Sequence, residues 1–279
     1  MGYTKRNIKY GLALSGGGAR GIAHLGVLQA LEENHIFPVV ISGTSMGTMV
    51  AVSYALGIPP KETLKFIQEE VRPTAWKNID LKRLGIFNLN KVEKFLREKV
   101  EKDDFSALKI PVYITVTNLN TGKFEIRSEG KLIEYVIASA SIPLLFKPVV
   151  IGKTYYVDGG VTKNLSARVL RGKCDKIIGV YVNHISEMSD FRRMKEVAIR
   201  VYHLAINNTL VNEKESCDYF VDPPETKNYS TLDFDKAGEI FDIGYREGLK
   251  LVKKLLEDEK AGKRFWKIPF RKNESVKLR

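Results

Sequence analysis

Val39-Val40-Ile41-Ser42-Gly43-Thr44-Ser45-Met46-Gly47 passes from an apolar, β-branched run into a Gly-x-Ser-x-Gly turn, and small residues then continue to Leu56. A strand that ends in a sharp turn and re-emerges as a helix lifts the central side chain clear of the sheet edge, the arrangement of a nucleophile elbow. Gly43 and Gly47 flank Ser45 because strand and helix pass too closely there for Cβ atoms. The pattern is short and gains its weight from two others, one upstream and one downstream.

Upstream, Gly16-Gly17-Gly18-Ala19-Arg20-Gly21 follows the β-like run 8–14 and opens a helix with apolar residues at Ile22, Leu25, Leu28 and Leu31. A glycine loop at a helix N-terminus leaves N–H groups without intrahelical partners, and the dipole adds positive potential, so the loop suits an anion. Two anions fit: a nucleotide pyrophosphate or the oxyanion of a tetrahedral acyl intermediate. Gly16, Gly18 and Gly21 satisfy G-x-G-x-x-G, but that fingerprint also needs an acid about 20 positions on, at the end of the next strand. Here that strand ends in Ser42-Gly43-Thr44-Ser45, and Glu32 and Glu33 fall in the preceding helix. The oxyanion is favoured. No Gly-Lys-Ser/Thr follows, which removes a phosphate P-loop.

Downstream, Asp158-Gly159-Gly160 follows the strand-like residues 154–157. Asp-Gly is also a common turn. A serine nucleophile, however, needs a base, because a hydroxyl is weakly nucleophilic at neutral pH. The chain has four histidines. His24 and His35 precede the serine, His203 sits in a long helical stretch, and His184 ends the strand-like run 177–183, where the histidine of a Ser-His-Asp triad could stand.

The ordered set of glycine loop, Gly43-Thr44-Ser45-Met46-Gly47 and Asp158-Gly159-Gly160 resembles the patatin-like phospholipases of bacterial type. A fourth block fits the same pattern: Ala138-Ser139-Ala140-Ser141-Ile142-Pro143, continuing into Phe146-Lys147-Pro148-Val149. The resemblance covers residues 8–171 and fades beyond Val182. It departs at Asn164-Leu165-Ser166, where the family tends to have Asn-x-Pro. The resemblance implies a Ser–Asp dyad with Ser45 as nucleophile, Asp158 as base and no catalytic histidine. It implies an oxyanion hole in Gly16–Gly21, carried by the N–H groups of Gly17 and Gly18 and joined by Ala19. It also implies that neither metal nor organic cofactor takes part. The dyad requires Asp158 in a partly desolvated cleft, where a carboxylate gains basicity, and Gly159 and Gly160 let its backbone pass tightly against the elbow. Arg20 matches the family's arginine and reads either as an orienting residue or as an exposed first-turn residue.

A chain of 279 residues at 44% hydrophobic can bury one large core. Cys174 and Cys217 have no CxxC spacing, so buried free thiols in a reducing, cytoplasmic compartment are expected. The apolar part of residues 1–14 is too short for a signal peptide. Arg6 stands where a myristoylation signal needs Ser or Thr, and no run approaches the roughly 20 apolar residues of a membrane span.

Strands are expected at 8–14, 39–42, 112–119, 154–157, 177–182 and 219–221, with 124–127 as a hairpin partner across Asn120-Thr121-Gly122. Helices are expected at 20–34, 46–56, 61–71, 91–100, 132–140, 189–207 and 236–256. This alternation predicts an α/β fold with a mostly parallel central sheet covered by helices on both faces, the three-layer sandwich that the resemblance implies. The acyl hydrolase domain is assigned to 1–256 and a tail to 257–279. Asp233-Phe234-Asp235-Lys236-Ala237-Gly238 starts like a calcium loop, but Ala237 holds a ligand position and Gly244 stands where a bidentate Glu belongs; Asp235 reads instead as the cap of the last helix. Trp76, Leu84, Ile86, Phe87 and Leu89, within 76–108, pack as ordinary core or cover an acyl-chain groove beside Ser45.

Residues 260–279 carry eight Lys or Arg against one acid, Glu274, and so hold +7 of the chain's net +12. Phe265, Trp266, Ile268 and Phe270 are interleaved with them. The segment reads as a solvated tail or as a contact for an anionic membrane surface; no nucleic-acid recognition module accompanies it. The expected activity is cleavage of fatty-acyl esters of phospholipids or lysophospholipids through an acyl-Ser45 intermediate. An acyltransferase of the same chemistry and a non-catalytic lipid-binding module are the alternatives, and a module of that kind would need neither Ser45 nor Asp158.

Overall fold

β1 (Tyr10–Leu14) is buried along its whole length, as a strand covered on both faces must be. Alternation still sorts its side chains: Leu12 and Leu14 enter the main core, and Ala13 enters a smaller core on the opposite face. The computed structural model describes residues 8–71, 89–143, 145–184, 187, 190 and 194–265. After β1 come α1 (Ala23–Glu33), β2 (Pro38–Thr44), α2 (Met46–Ala55), α3 (Pro60–Phe66) and α4 (Leu89–Arg97). Then follow β3 (Val112–Asn118), β4 (Lys123–Arg127), α5 (Leu132–Ser139), β5 (Val149–Ile151) and β6 (Thr154–Asp158). The chain continues with β7 (Lys176–Val180), α6 (Met194–Asn208), α7 (Val211–Lys214), β8 (Tyr219–Val221) and α8 (Ala237–Phe265).

The strands form one mixed sheet in the order β5-β6-β3-β2-β1-β7-β8, with β4 also paired to β3. Pairing is parallel from β3 through β2, β1 and β7 to β8, and antiparallel at β4, β5 and β6. The register of β3 positions everything that follows. β4 lines one edge of β3 from Ile114 to Asn118. β2 pairs with Val112–Thr115 and β6 with Val116–Asn118, so these two must share the other edge end to end. Thr44, the last residue of β2, lies opposite Thr115, and Asp158, the last residue of β6, lies opposite Val116.

Helices cover both faces. The main core joins sheet residues to α1, α2, α5 and α8, while Ala13, Val40 and Ile177 pack under Leu165, Ala167 and Leu170 on the other side. α1 and α8 touch backbone to backbone: a Cβ on Gly244 would sit 1.9 Å from the Ala23 carbonyl oxygen, and one on Gly26 2.1 Å from that of Phe241.

Every expected strand is present, with ends shifted by up to two residues. β2 runs on to Thr44, which puts the turn on Ser45 itself. β5 and the short α7 were not anticipated. The helix expected from residue 20 begins as a 3-10 turn, Gly18–Ile22, and the one expected over 61–71 ends in a π-helical turn, Ile67–Val71. Asp235 lies inside a 3-10 turn, Phe234–Lys236, rather than capping the last helix; the neighbouring Asp233 carboxylate accepts from the Ser230 N–H at 2.6 Å. α8 continues past Leu256 to Phe265, so 257–265, assigned above to a tail, is helical, and Tyr219 donates to Asp258 there at 2.9 Å. Trp76, Leu84, Ile86 and Phe87 lie outside the described residues, as do 266–279. Among the described residues no helix is long and apolar enough to cross a membrane.

His24 is fully buried in α1, with Nε2 2.8 Å from the Ser15 carbonyl oxygen. A carbonyl only accepts, so Nε2 carries the proton, and a second proton would have to reside on Nδ1, which has no partner among the described residues. Burial therefore lowers the pKa to about 4. An unfolded histidine protonates near pH 6.5. Between those values the unfolded state binds the extra proton, and His24 subtracts about 1.4 kcal/mol of stability per pH unit as pH falls. Urea melts from pH 7 to 4.5 should show wild-type stability falling more steeply than that of His24→Gln by this amount. Equal slopes would contradict the buried neutral imidazole.

Candidate active site

Ser45 has φ 53° and ψ −124°, a left-handed backbone shared only with His35 among the described non-glycine residues. Such a conformation costs about 1–3 kcal/mol and persists only where its surroundings hold it. Thr48 and Met49 donate their N–H groups to the Ser45 carbonyl at 2.9 and 3.2 Å, starting α2, while the Ser45 N–H donates to Ser139 Oγ at 2.9 Å. A Cβ on Gly47 would lie 2.5 Å from the carbonyl oxygens of both Leu14 and Ser15, so the elbow is pressed beneath the end of β1. Ser45 itself is 5% exposed.

The glycine loop lies against the serine: a Cβ on Gly16 would come within 3.1 Å of Ser45 Cβ. The loop's hydrogen bonds select its available donors. The Gly16 N–H donates to Asn164, to its carbonyl at 3.2 Å and to Oδ1 at 3.1 Å, and the Gly16 carbonyl accepts from Asn183 Nδ2 at 2.6 Å. The Ala19 N–H donates to the Thr231 carbonyl at 2.9 Å. Among the described residues the N–H groups of Gly17 and Gly18 carry no hydrogen bond. Gly16 and Ala19, included above in the oxyanion loop, therefore brace it rather than offer donors. Gly18 has φ +54°, and a Cβ there would meet the Thr231 carbonyl oxygen at 2.3 Å.

Arg20 is half-buried rather than an exposed first-turn residue. Its Nε donates to the Tyr229 carbonyl at 2.7 Å and an Nη to the His184 carbonyl at 3.5 Å, tying the 3-10 turn that includes Gly21 to two distant segments. Burial lowers the pKa of this guanidinium.

Asp158 is 1% exposed. Its Oδ1 accepts from the Gly160 N–H at 2.7 Å, its N–H donates to the Ser141 carbonyl at 3.0 Å, and its carbonyl accepts from Thr117 Oγ1 at 2.9 Å. A Cβ on Gly159 would sit 2.2 Å from the Thr115 carbonyl oxygen, so the turn after Asp158 lies directly on the residue that pairs with Thr44. Ser45 and Asp158 thus close two strands whose tips meet on one edge of β3. His184 follows β7, on the far side of β1 from the end of β2, and its Nδ1 lies 3.4 Å from Asp222 Oδ2. His203, on α6, has its pKa pushed down to about 4 by burial and by Arg20 and Arg200.

Beside Ser45 opens a narrow, predominantly apolar cleft. Met46 and Met49 of α2, Val136 and Ala140 of the α5 region, and Phe146 and Leu232 from loops are among its walls. Val92 of α4 also lines it, so the 76–108 stretch contributes a groove wall, while Leu89 joins the core. Sequence reading missed Asn183, Thr231 and the contacts of Ser139 and Ser141. Asn183 and Thr231 stand in no recognisable pattern. The two serines lay in a quoted motif whose purpose only the fold reveals.

Residues 12–171, more than half of the chain, match the family described as patatin-like phospholipase. Lysophospholipase NTE1 of Saccharomyces cerevisiae is 30% identical over an alignment of 286 positions that covers 90% of this chain and 17% of that protein. The Kluyveromyces lactis lysophospholipase NTE1 is 29% identical over an alignment of 283 positions that covers 88% of this chain and 19% of that protein. The chain therefore spans about a fifth of the length of these relatives. Among solved structures, VipD from Legionella pneumophila shares the fold with a TM-score of 0.52 at 15% identity, over 90% of this chain and 67% of that one. A family match from β1 through the aspartate turn, with relatives aligned along nearly the whole length, makes this chain a member of the patatin-like phospholipase family.

Proposed function

We propose that the chain is a serine acyl hydrolase that cleaves fatty-acyl esters of phospholipids or lysophospholipids through an acyl-Ser45 intermediate. The observation that carries this is the shared edge of β3, where the strand leading into Ser45 and the strand ending at Asp158 meet tip to tip, beside the Gly17 and Gly18 N–H groups that have no partner among the described residues. The apolar cleft at Ser45 suits an acyl chain, and the relatives named lysophospholipases support the same class of ester.

Ser45 Oγ attacks the ester carbonyl carbon as the Asp158 carboxylate takes the hydroxyl proton. The carbonyl oxygen becomes an oxyanion that accepts from the Gly17 and Gly18 N–H groups, donors fixed before the reaction and so costing no reorganisation. Collapse of this intermediate breaks the ester C–O bond, and Asp158 returns the proton to the departing alkoxide. Water then gives a proton to Asp158 as its oxygen attacks the acyl carbon. The second collapse releases the fatty acid and restores the Ser45 hydroxyl.

Because the two residues act as a unit, Ser45→Ala and Asp158→Asn should each lower kcat by at least about 100-fold, and the double variant little further. Gly18→Val places a side chain at the Thr231 carbonyl and tilts a donor; it should cost about 3 kcal/mol, or roughly 100-fold in kcat. His184→Ala should turn over near the wild-type rate. Steady-state kinetics on a lysophospholipid check all five variants, and a loss at His184 equal to that at Ser45 would replace the dyad with a triad.

The basic-aromatic segment 260–279 is assigned the role of meeting an anionic membrane surface, each basic residue there contributing about 1 kcal/mol. Deleting 266–279, which leaves α8 intact, should weaken sedimentation with phosphatidylserine vesicles at low salt and preserve hydrolysis of a soluble short-chain ester. Undiminished vesicle binding by the truncated chain would make the segment a solvated tail.

A further inference from the structure

We infer that Ser139, the last residue of α5, is a positioning residue for the Ser45 reaction, and that the turn it begins holds both members of the dyad. The inference rests on the acyl hydrolase reading above.

Ser139 is fully buried, and its hydroxyl has three neighbours: Ser45 N at 2.9 Å, Thr48 Oγ1 at 2.9 Å and the Thr115 carbonyl oxygen at 2.8 Å. A hydroxyl offers one proton and two lone pairs. The Thr115 carbonyl only accepts, so the Ser139 proton goes there. The Ser45 N–H only donates, so it takes one lone pair. Thr48 must then donate to the other. Every bonding position of Ser139 is used, and its hydroxyl has no freedom to turn.

That saturated hydroxyl ties the amide of a strained residue to β3. Thr115 is the residue opposite Thr44, and its carbonyl also lies under Gly159. Two residues beyond Ser139, the Ser141 carbonyl accepts the Asp158 N–H at 3.0 Å. A single turn of chain therefore fixes the backbone of nucleophile and base. The same stretch gives Val136, Ile137 and Ala140 to the wall of the cleft. Removing the Ser139 hydroxyl would leave the Ser45 N–H and the Thr115 carbonyl without this partner in a dry interior and free the elbow to relax. The cleft wall would stay. Alignment for attack, rather than substrate binding, is what should suffer.

Wild type, Ser139→Ala, Ser139→Cys and Ser53→Ala are compared on one lysophospholipid, with kcat, KM, the pH profile of kcat and the thermal midpoint measured for each. Ser53 supplies the control: it is a fully buried α2 serine whose hydroxyl has no partner among the described residues. Ser139→Ala should lower kcat by about 10- to 100-fold. Ser139→Cys, isosteric but a weaker acceptor, should fall between it and wild type. For both, KM should stay within about twofold and the pH profile should keep its shape, since base and cleft are unaltered. Ser53→Ala should match wild type. A folded Ser139→Ala or Ser139→Cys with wild-type kcat would overturn the inference, as would an effect confined to KM. If Ser139→Ala fails to fold, Ser139→Cys decides alone. A wild-type chain that hydrolyses no acyl ester would overturn the underlying activity, and this inference with it.

Discussion

The free edge of β3 admits one strand at a time. β2 uses it as far as Thr115 and β6 from Val116 onward, so two chain segments more than 100 residues apart are forced to end within one register step of each other. A slip of one residue in either pairing would turn every side chain of that strand to the other face and separate the two tips. The fold is specified against that slip by burial on both faces. Leu12, Leu14 and Ile41 fill the main core, while Ala13, Val40 and Ile177 fill the second.

Close approach of backbones is the means by which the site stays rigid without a large side chain in it. Gly47 lets α2 begin beneath Leu14 and Ser15, Gly159 lets the aspartate turn rest on Thr115, and Gly244 seats α8 against α1, the helix entered from the glycine loop. Around these contacts the loop's polar groups are partnered by remote residues, and among the described residues the N–H groups of Gly17 and Gly18 are left without a partner. Under the proposed mechanism, donors held in this way would need no rearrangement when negative charge develops beside them.

Much of this was legible in the sequence because it is local. Ser45, Asp158 and the glycine loop each stand in a short pattern whose backbone demands are met within a few residues. What could not be read depends on partners far along the chain. Which loop N–H groups remain open is decided by Asn164 and Thr231, roughly 150 and 210 positions away. Thr231 also takes up the Ala19 N–H where a 3-10 turn precedes α1. The role inferred for Ser139 depends on how one buried hydroxyl shares its proton and lone pairs among Ser45, Thr48 and Thr115, which are distant in the chain. α8 outran its expected end because apolar periodicity stops at Leu256, where the helix leaves the core, while good helix formers continue to Lys260.

The central claim is that Ser45 is the nucleophile, and covalent labelling tests it most directly. A fluorophosphonate probe reacts with an activated serine hydroxyl, and peptide mapping by mass spectrometry identifies the modified residue. The account predicts a single adduct on the peptide containing Gly43-Thr44-Ser45-Met46-Gly47, located on Ser45 and absent from Ser45→Ala. An adduct on any other residue, or undiminished labelling of Ser45→Ala, would contradict it.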